Sequence, residues 1–207
     1  MPKLVDPDAR RRDVVDALFR VVVRDGLQRA SLRSVADEAG LNIGSLRHYF
    51  ASQQELMNFA MQSMLDRLEA RLNRRLEHIG DLAGHHRANR LRLAADFLAE
   101  LLPLDEQRRA EVTVFHDFTA AARTNPAFRR LSHRTAQATR RLTRRVLERL
   151  DATETLRPGR DLDLEAERLA ALLDGLGLTA VLHPDLVSSR NCAEVLRAHL
   201  DELCGLD

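Results

Sequence analysis

Several residue types are scarce in this chain. Of its 207 residues none is tryptophan and one, Tyr49, is tyrosine. Cysteine occurs twice, glycine nine times and proline six times, and of 32 basic residues only Lys3 is a lysine. Two cysteines cannot build a disulfide framework. If Cys192 and Cys204 share one helix, their spacing in sequence puts them roughly 18 Å apart, too far to bond to each other. A reducing cytoplasm is therefore the expected compartment. So little glycine and proline excludes a fibrous chain or a long low-complexity linker. No run approaches the roughly 18–20 apolar residues of a membrane span. The best, Leu176–Leu182, is preceded by Asp174 and closed by His183-Pro184. The opening MPKLVDPDARRR has no apolar stretch of the kind a secretory signal requires. The preference for arginine suits phosphate and carboxylate contacts, but it runs through the whole chain, and so general a skew carries little functional weight.

Hydrophobic residues make up 44% of the chain and charged ones 30%, enough to bury a core. Length fits one domain of ordinary size or two small ones closely joined. The net charge of +1 conceals an uneven distribution. Residues 1–56 carry nine basic and eight acidic side chains, residues 57–150 eighteen and eleven, and residues 151–207 five and twelve. A nearly neutral start is followed by a basic middle and an acidic end.

The periodicity is helical almost throughout. One apolar face over Asp8–Asp25 (Val14, Val15, Leu18, Phe19, Val22) ends at Gly26. Ser31 caps a short helix over Leu32–Ala39, and Asn42 another to about His48. Ser52-Gln-Gln-Glu55 fits a capping box for a long helix in which Leu56, Ala60, Met64, Leu68, Leu72, Leu76 and Ile79 share a face, up to Gly80. Further helices are expected over about Asn89–Leu102, Glu106–Thr124, Ala127–Leu150, Leu162–Leu182 and from Ser188 or Ser189 to Leu203. The expectation is an all-α protein of about nine helices with no strand and no repeat.

The most informative stretch is Leu32–Phe50, LRSVADEAGLNIGSLRHYF. Val35, Ala39, Leu41 and Leu46 supply a small core. Ala36 is small where a second helix would cross closely, and Gly40 sits where the chain must turn, at positive φ. Tyr49 and Phe50 close that core. The second helix has only about two turns and makes a poor core builder, yet Asn42, Ser45, Arg47 and His48 give it a polar face to present. This is the pattern of a helix-turn-helix, whose second helix enters a major groove. An ordinary helical hairpin within a bundle is the alternative.

Residues 8–60 resemble the N-terminal domain of the TetR family of bacterial transcriptional regulators. The resemblance is carried by Ser31-Leu32-Arg33-Ser34-Val35-Ala36, Ala39-Gly40-Leu41, Gly44-Ser45-Leu46, Tyr49-Phe50 and Leu56. It implies a DNA-binding domain over 8–56 in which Ser31 and Arg33 meet backbone phosphate, and Asn42, Gly44, Ser45, Arg47 and His48 face the groove. Tyr49 either reaches a phosphate or packs. Arg10, Arg11 and Arg12 either extend the contact as an arm or stand in solvent. Two positions depart from the family pattern. Arg47 stands where many members have tyrosine, and can reach a phosphate or guanine O6 and N7. Gln53 replaces a frequent lysine, though the helix amides beside it still suit a phosphate. Arg-His-Tyr-Phe at 47–50 and Leu173-Asp174-Gly175-Leu176 resemble the BetI-like subgroup.

By the same resemblance, residues 57–207 form an effector-binding and dimerisation domain. Leu169, Leu172, Leu173, Leu176, Val195, Leu196 and Leu200 on the last two helices are the expected homodimer surface. Two reading heads about one DNA turn apart, roughly 34–36 Å, would then fit a pseudo-palindromic double-stranded operator. A small-molecule effector would bind among the fourth to eighth helices. Phe97, Phe115 and Phe118 are candidate walls there, with His116, Asp117, Thr119, His133 and Gln137 as polar contacts, though a phenylalanine at helical spacing also serves as plain core. An aromatic cage for a quaternary ammonium would have to use phenylalanines alone. Effector binding is expected to shift the fourth helix and weaken operator binding.

Arg129, Arg130, Arg134, Arg140, Arg141, Arg144, Arg145 and Arg149 are relieved by one acid, Glu148, between Phe128 and Leu150. They form a solvated face, pair with Asp161, Asp163, Glu165 and Glu167 (Arg141 with Glu165 as the trial pair), or meet an anionic effector or DNA. His78, His85 and His86 lack the ligand cluster of a metal site, and no cofactor is expected. No nucleophile elbow, phosphate loop or paired-carboxylate motif suggests an enzyme, and His116-Asp117 point apart on one helix. A helical adaptor without specific DNA binding is the rival class.

Overall fold

The computed structural model describes residues 7–205, and the expectations placed on Lys3 and the first six residues lie outside them. Nine α-helices and no strand occur among the described residues: α1 (Pro7–Asp25), α2 (Leu32–Glu38), α3 (Ile43–Tyr49), α4 (Gln53–Ile79), α5 (Arg87–Leu98), α6 (Glu106–Ala122), α7 (Pro126–Ala152), α8 (Leu162–Leu182) and α9 (Ser189–Cys204). Except for α5, which ends four residues early at Leu98, each lies within about two residues of its sequence expectation. Helix α5 also starts two residues early, where the His86 ring caps it, and its last turn tightens into 3₁₀ geometry over Ala99–Leu101.

Two compact units result, and neither is continuous in sequence. The first joins residues 7–67 to Thr113–Ser132; the second joins Leu68–Val112 to residues 133–205. The end of α6 and the start of α7 supply Val114, Phe118, Ala122 and Phe128 to the core that α1–α3 also fill.

In the first unit α1 buries Val14, Val15, Ala17, Leu18, Val21 and Val22 almost completely. Gly26, at φ +82°, ends it. Asp117 of α6 accepts from the Leu27 amide at 3.2 Å and fixes the turn that follows. The Phe118 and Phe128 rings pack 4.7 Å apart.

In the second unit the core is formed by Leu91, Phe97 and Leu98 of α5, Leu147 and Leu150 of α7, Leu169 and Leu173 of α8, and Leu196 and Leu200 of α9. Both cysteines are free and buried there. Burial raises both thiol pKa values, that of Cys204 to about 11. A cluster of buried ions also lies in this unit. Glu111 accepts from both terminal nitrogens of Arg71, at 3.1 and 2.6 Å, and Glu100 meets Arg75 at 2.9 Å and Arg71 at 3.3 Å.

Candidate nucleic-acid interface

The interface is built on two helices of seven residues each, far below the roughly 12–15 at which an isolated helix becomes even marginal in water. Their caps and their packing hold them. Ser31 and Ser34 form a reciprocal capping box at the start of α2. The turn after α2 closes through Gly40 at φ +65°, with the Leu41 amide donating to the Ala36 carbonyl at 2.9 Å. The Asn42 side chain then accepts from the Ser45 amide at 2.7 Å and starts α3. At the start of α4 the Ser52 hydroxyl accepts from the Glu55 amide, and the Glu55 carboxylate accepts from the Ala51 amide, one residue before the expected partner.

Inside this frame Val35, Ala36, Leu46 and Phe50 are fully buried. Outside it Ser31, Arg33, Asn42, Gly44, Arg47 and His48 are exposed, and Ser45 and Tyr49 half-buried. Arg33, Arg47 and His48 have no hydrogen-bond or ion-pair partner among the described residues. A Cβ on Gly44 would sit 3.2 Å from the Asn42 cap oxygen, so a side chain there crowds the cap as well as the groove face.

Two expected contacts have other work. The Gln53 amide donates to the Ala30 carbonyl at 2.8 Å, tying the start of α4 to the loop before α2. Arg10, Arg11 and Arg12 lie within α1 and are not a separate arm. Arg10 pairs with Asp13, and Arg11 donates to the Tyr49 carbonyl at 3.3 Å while its guanidinium lies 5.0 and 4.7 Å from the Phe50 and Phe59 ring centres. Arg11 therefore holds the C-terminal end of α3 from below. Nothing local in the sequence marks it for that role. On the other side Glu38 of α2 receives Arg20 at 2.7 Å and Arg24 at 2.8 Å from α1, and these bonds lower its carboxyl pKa.

The residues named for an effector pocket are divided between the two units. Phe97 lines a cavity of about 340 Å³ in the second unit, between the end of α4, the turn after it, α5 and the end of α7. Phe118 is buried in the core of the first unit, where Phe115 and His116 are half-buried and Thr119 is exposed. His133 and Gln137 are exposed on α7. His78 bonds its own helix, His85 bonds the Ile79 carbonyl and Asn89, and His86 caps α5.

On α7, Arg140 pairs with Glu167 at 2.6 Å, and Arg144 pairs with Asp163 and Glu148. The trial pair is different: Glu165 meets Arg160 and Arg168, while Arg141 stays exposed. The nearer cations win because they approach from α8 itself and the loop before it.

Of the residues named for a dimer surface, Leu169, Leu173, Leu196 and Leu200 are buried in the second unit's own core. Leu172 and Leu176 are half-buried, and Val195 is 42% exposed. The large apolar side chains that α8 and α9 expose are Leu164, Leu178, Leu182 and Val195.

Two capped short helices at a glycine turn, the second presenting an unpartnered arginine and histidine, define a helix-turn-helix DNA-binding regulator. Residues 14–58 match the family model of bacterial regulatory proteins, tetR family, and residues 87–205 match that of the BetI-type transcriptional repressor, C-terminal. The HTH-type transcriptional regulator PksA of Bacillus subtilis is 34% identical over 207 residues, covering all of this chain and 96% of that protein. A transcriptional regulator from a Rhodococcus species has a similar structure, with a TM-score of 0.76 and 28% identity over 93% of this chain and 95% of its own. A protein of Saccharomonospora viridis, solved in complex with choline, shares the fold with a TM-score of 0.74 and 22% identity over 94% and 95% of the two chains. The chain belongs to the tetR family of bacterial transcriptional regulators and carries a BetI-type C-terminal domain. It is a transcriptional regulator with a helix-turn-helix domain and a ligand-binding domain.

Proposed function

We propose that the protein represses transcription as a homodimer on a pseudo-palindromic operator and is released by a small molecule. The observation that carries this reading is the set of unpartnered polar side chains, Arg33, Arg47 and His48, on the exposed side of a capped two-helix frame. Ser31 and Arg33 bind phosphate. Asn42, Gly44, Ser45, Arg47 and His48 face the groove, with Arg47 the main base or phosphate donor. Tyr49 packs, its backbone held by Arg11, and Gln53 contributes the amides of α4 rather than its side chain. Residues 8–56 are the reading domain and residues 57–207 the effector and dimer domain. The regulator acts where the chromosome is, in the cytoplasm.

Dimerisation uses the outer faces of α8 and α9. Leu178, Leu182 and Val195 are exposed there, and the exposed Ala171, Gly175 and Ala198 leave room for close helix approach. The effector enters the cavity that Phe97 lines. Choline, bound by the Saccharomonospora viridis protein, does not suit it, because Phe97 is the cavity's single aromatic side chain and a quaternary ammonium is held by several ring faces.

Gel shift with DNA from upstream of the protein's own coding region tests the reading. Arg47→Ala should weaken binding by about 5- to 150-fold, the equivalent of 1–3 kcal/mol. Salt dependence should fall by about one counterion if Arg47 binds a phosphate. Equal binding of wild type and Arg47→Ala on every fragment would remove Arg47 from the interface. Failure of the wild type on all genomic fragments would favour a helical adaptor.

A further inference from the structure

We propose that the effector is a small amphipathic monoanion, an apolar body carrying one carboxylate, whose charge is met by Arg149. The inference rests on the reading of the Phe97 cavity as the effector site and adds the chemical class. The walls are apolar: Leu76 and Ile79 of α4, Ala94 and Phe97 of α5, Val146 and Leu150 of α7. At about 340 Å³ the cavity lies near the lower end of small-molecule sites, which run from about 300 to 1,000 Å³. Such walls select a compact hydrocarbon or aryl body.

Charge at the rim selects the head group. Two ionised side chains line the cavity, Asp81 and Arg149. Asp81 is engaged: its carboxylate caps the turn after α4 by accepting from the Ala83 amide at 3.0 Å. Arg90 adds a second positive charge, with its donors taken by the carbonyls of Leu82 (3.1 Å), Ala83 (2.9 Å) and Thr153 (2.6 Å), all three of them lining residues. Arg90 thus braces the rim with three of its five donors and biases it towards anions. Arg149, in the last turn of α7, is the group left over. Its guanidinium has no hydrogen-bond or ion-pair partner among the described residues. Five donors in a planar fork match a carboxylate in a bidentate pair. The rim's Asp81 opposes a second negative charge, which limits the ligand to one.

Octanoate and 4-phenylbutyrate are the probes, with 1-octanol and choline as controls, read by thermal shift and by loss of operator binding. Both carboxylates should raise the melting temperature of the full-length protein and release DNA, and choline should do neither. Arg149→Gln should weaken carboxylate binding at least tenfold, and Arg149→Lys should recover part of it. Because Arg149 is exposed and unpartnered, the melting temperature of the ligand-free protein and its operator affinity should hardly change. If octanol and octanoate bind alike to wild type and Arg149→Gln, the cavity remains a ligand site and the anion assignment is overturned. If Ala83→Trp, an exposed rim substitution that blocks the mouth, leaves octanoate binding intact, the cavity itself is not the site. If neither carboxylate binds a preparation that still shifts operator DNA, the assignment fails and the DNA-reading proposal stands.

Discussion

His199 on α9 is half-buried, and its Nε2 has no hydrogen-bond partner. Burial lowers its pKa below 6.5, outweighing the pull of Glu165 and Glu202, with Arg168 and Arg160 adding to the depression. The unfolded chain takes up a proton here before the folded one does, so stability is complete above pH 6.5 and falls as pH drops below it. The loss is at most about 1.4 kcal/mol per pH unit until the folded-state pKa is reached. Thermal melts of the wild type should show a decline between pH 7 and 5 that His199→Gln removes. Glu38 and Asp105, whose pKa values are lowered from 4.5 and 3.8, act only at more acid pH. A variant with an unchanged pH profile would assign the decline to another group. At this scale the sequence is readable where a side chain acts on its neighbours. Gly40, Asn42, Ser52 and Glu55 work within about four residues of themselves. Arg11 acts 38 residues away and Asp117 acts 90 residues away, and no local pattern of residues carries that information.

Among elements, α4 is joined to α6 within the second unit by the ion pair of Arg71 and Glu111, both largely shielded from water. An exposed pair of this kind is worth little, but a buried one is costly to break, and without Glu111 the Arg71 charge loses its bidentate partner and keeps only the 3.3 Å contact to Glu100. Glu111→Ala should destabilise the protein by about 3–5 kcal/mol, a fall in melting temperature of roughly 6–20 °C for a chain of this size. Replacing both partners, Arg71→Met with Glu111→Leu, should restore most of it. A double variant as unstable as Glu111→Ala would show that the pair is not the source of the loss. Helix existence was legible because apolar residues recur with the helical period, and helix ends because glycine, proline and capping side chains punctuate it. The arginine pairs were legible only as a class. Composition shows that a basic stretch precedes an acidic one; it cannot show that they pair or that Glu165 prefers Arg160 to Arg141.

For the molecule as a whole, the sequence marks α8 and α9 as apolar but not which of their faces meets their own core. Leu169, Leu173, Leu196 and Leu200 turn inward, leaving Leu178, Leu182 and Val195 outside. Leu182→Arg, at a side chain 61% exposed, should therefore leave the helical content and folding of each chain intact while giving a monomer in sedimentation velocity. Operator affinity should fall with it, since one head reads only half a site. A Leu182→Arg protein that sediments like the wild type would take the interface away from this face.

The proposed reading surface separates two kinds of demand. Val35, Ala36, Leu46, Phe50 and Arg11 hold the frame, whereas Arg33, Arg47 and His48 contribute nothing to it, having no partner among the described residues. Surface substitutions at such positions usually change stability by less than about 0.5 kcal/mol. A lineage can therefore change all three, one at a time, without passing through an unstable intermediate. The DNA sequence that this regulator recognises is free to drift while its architecture stays fixed.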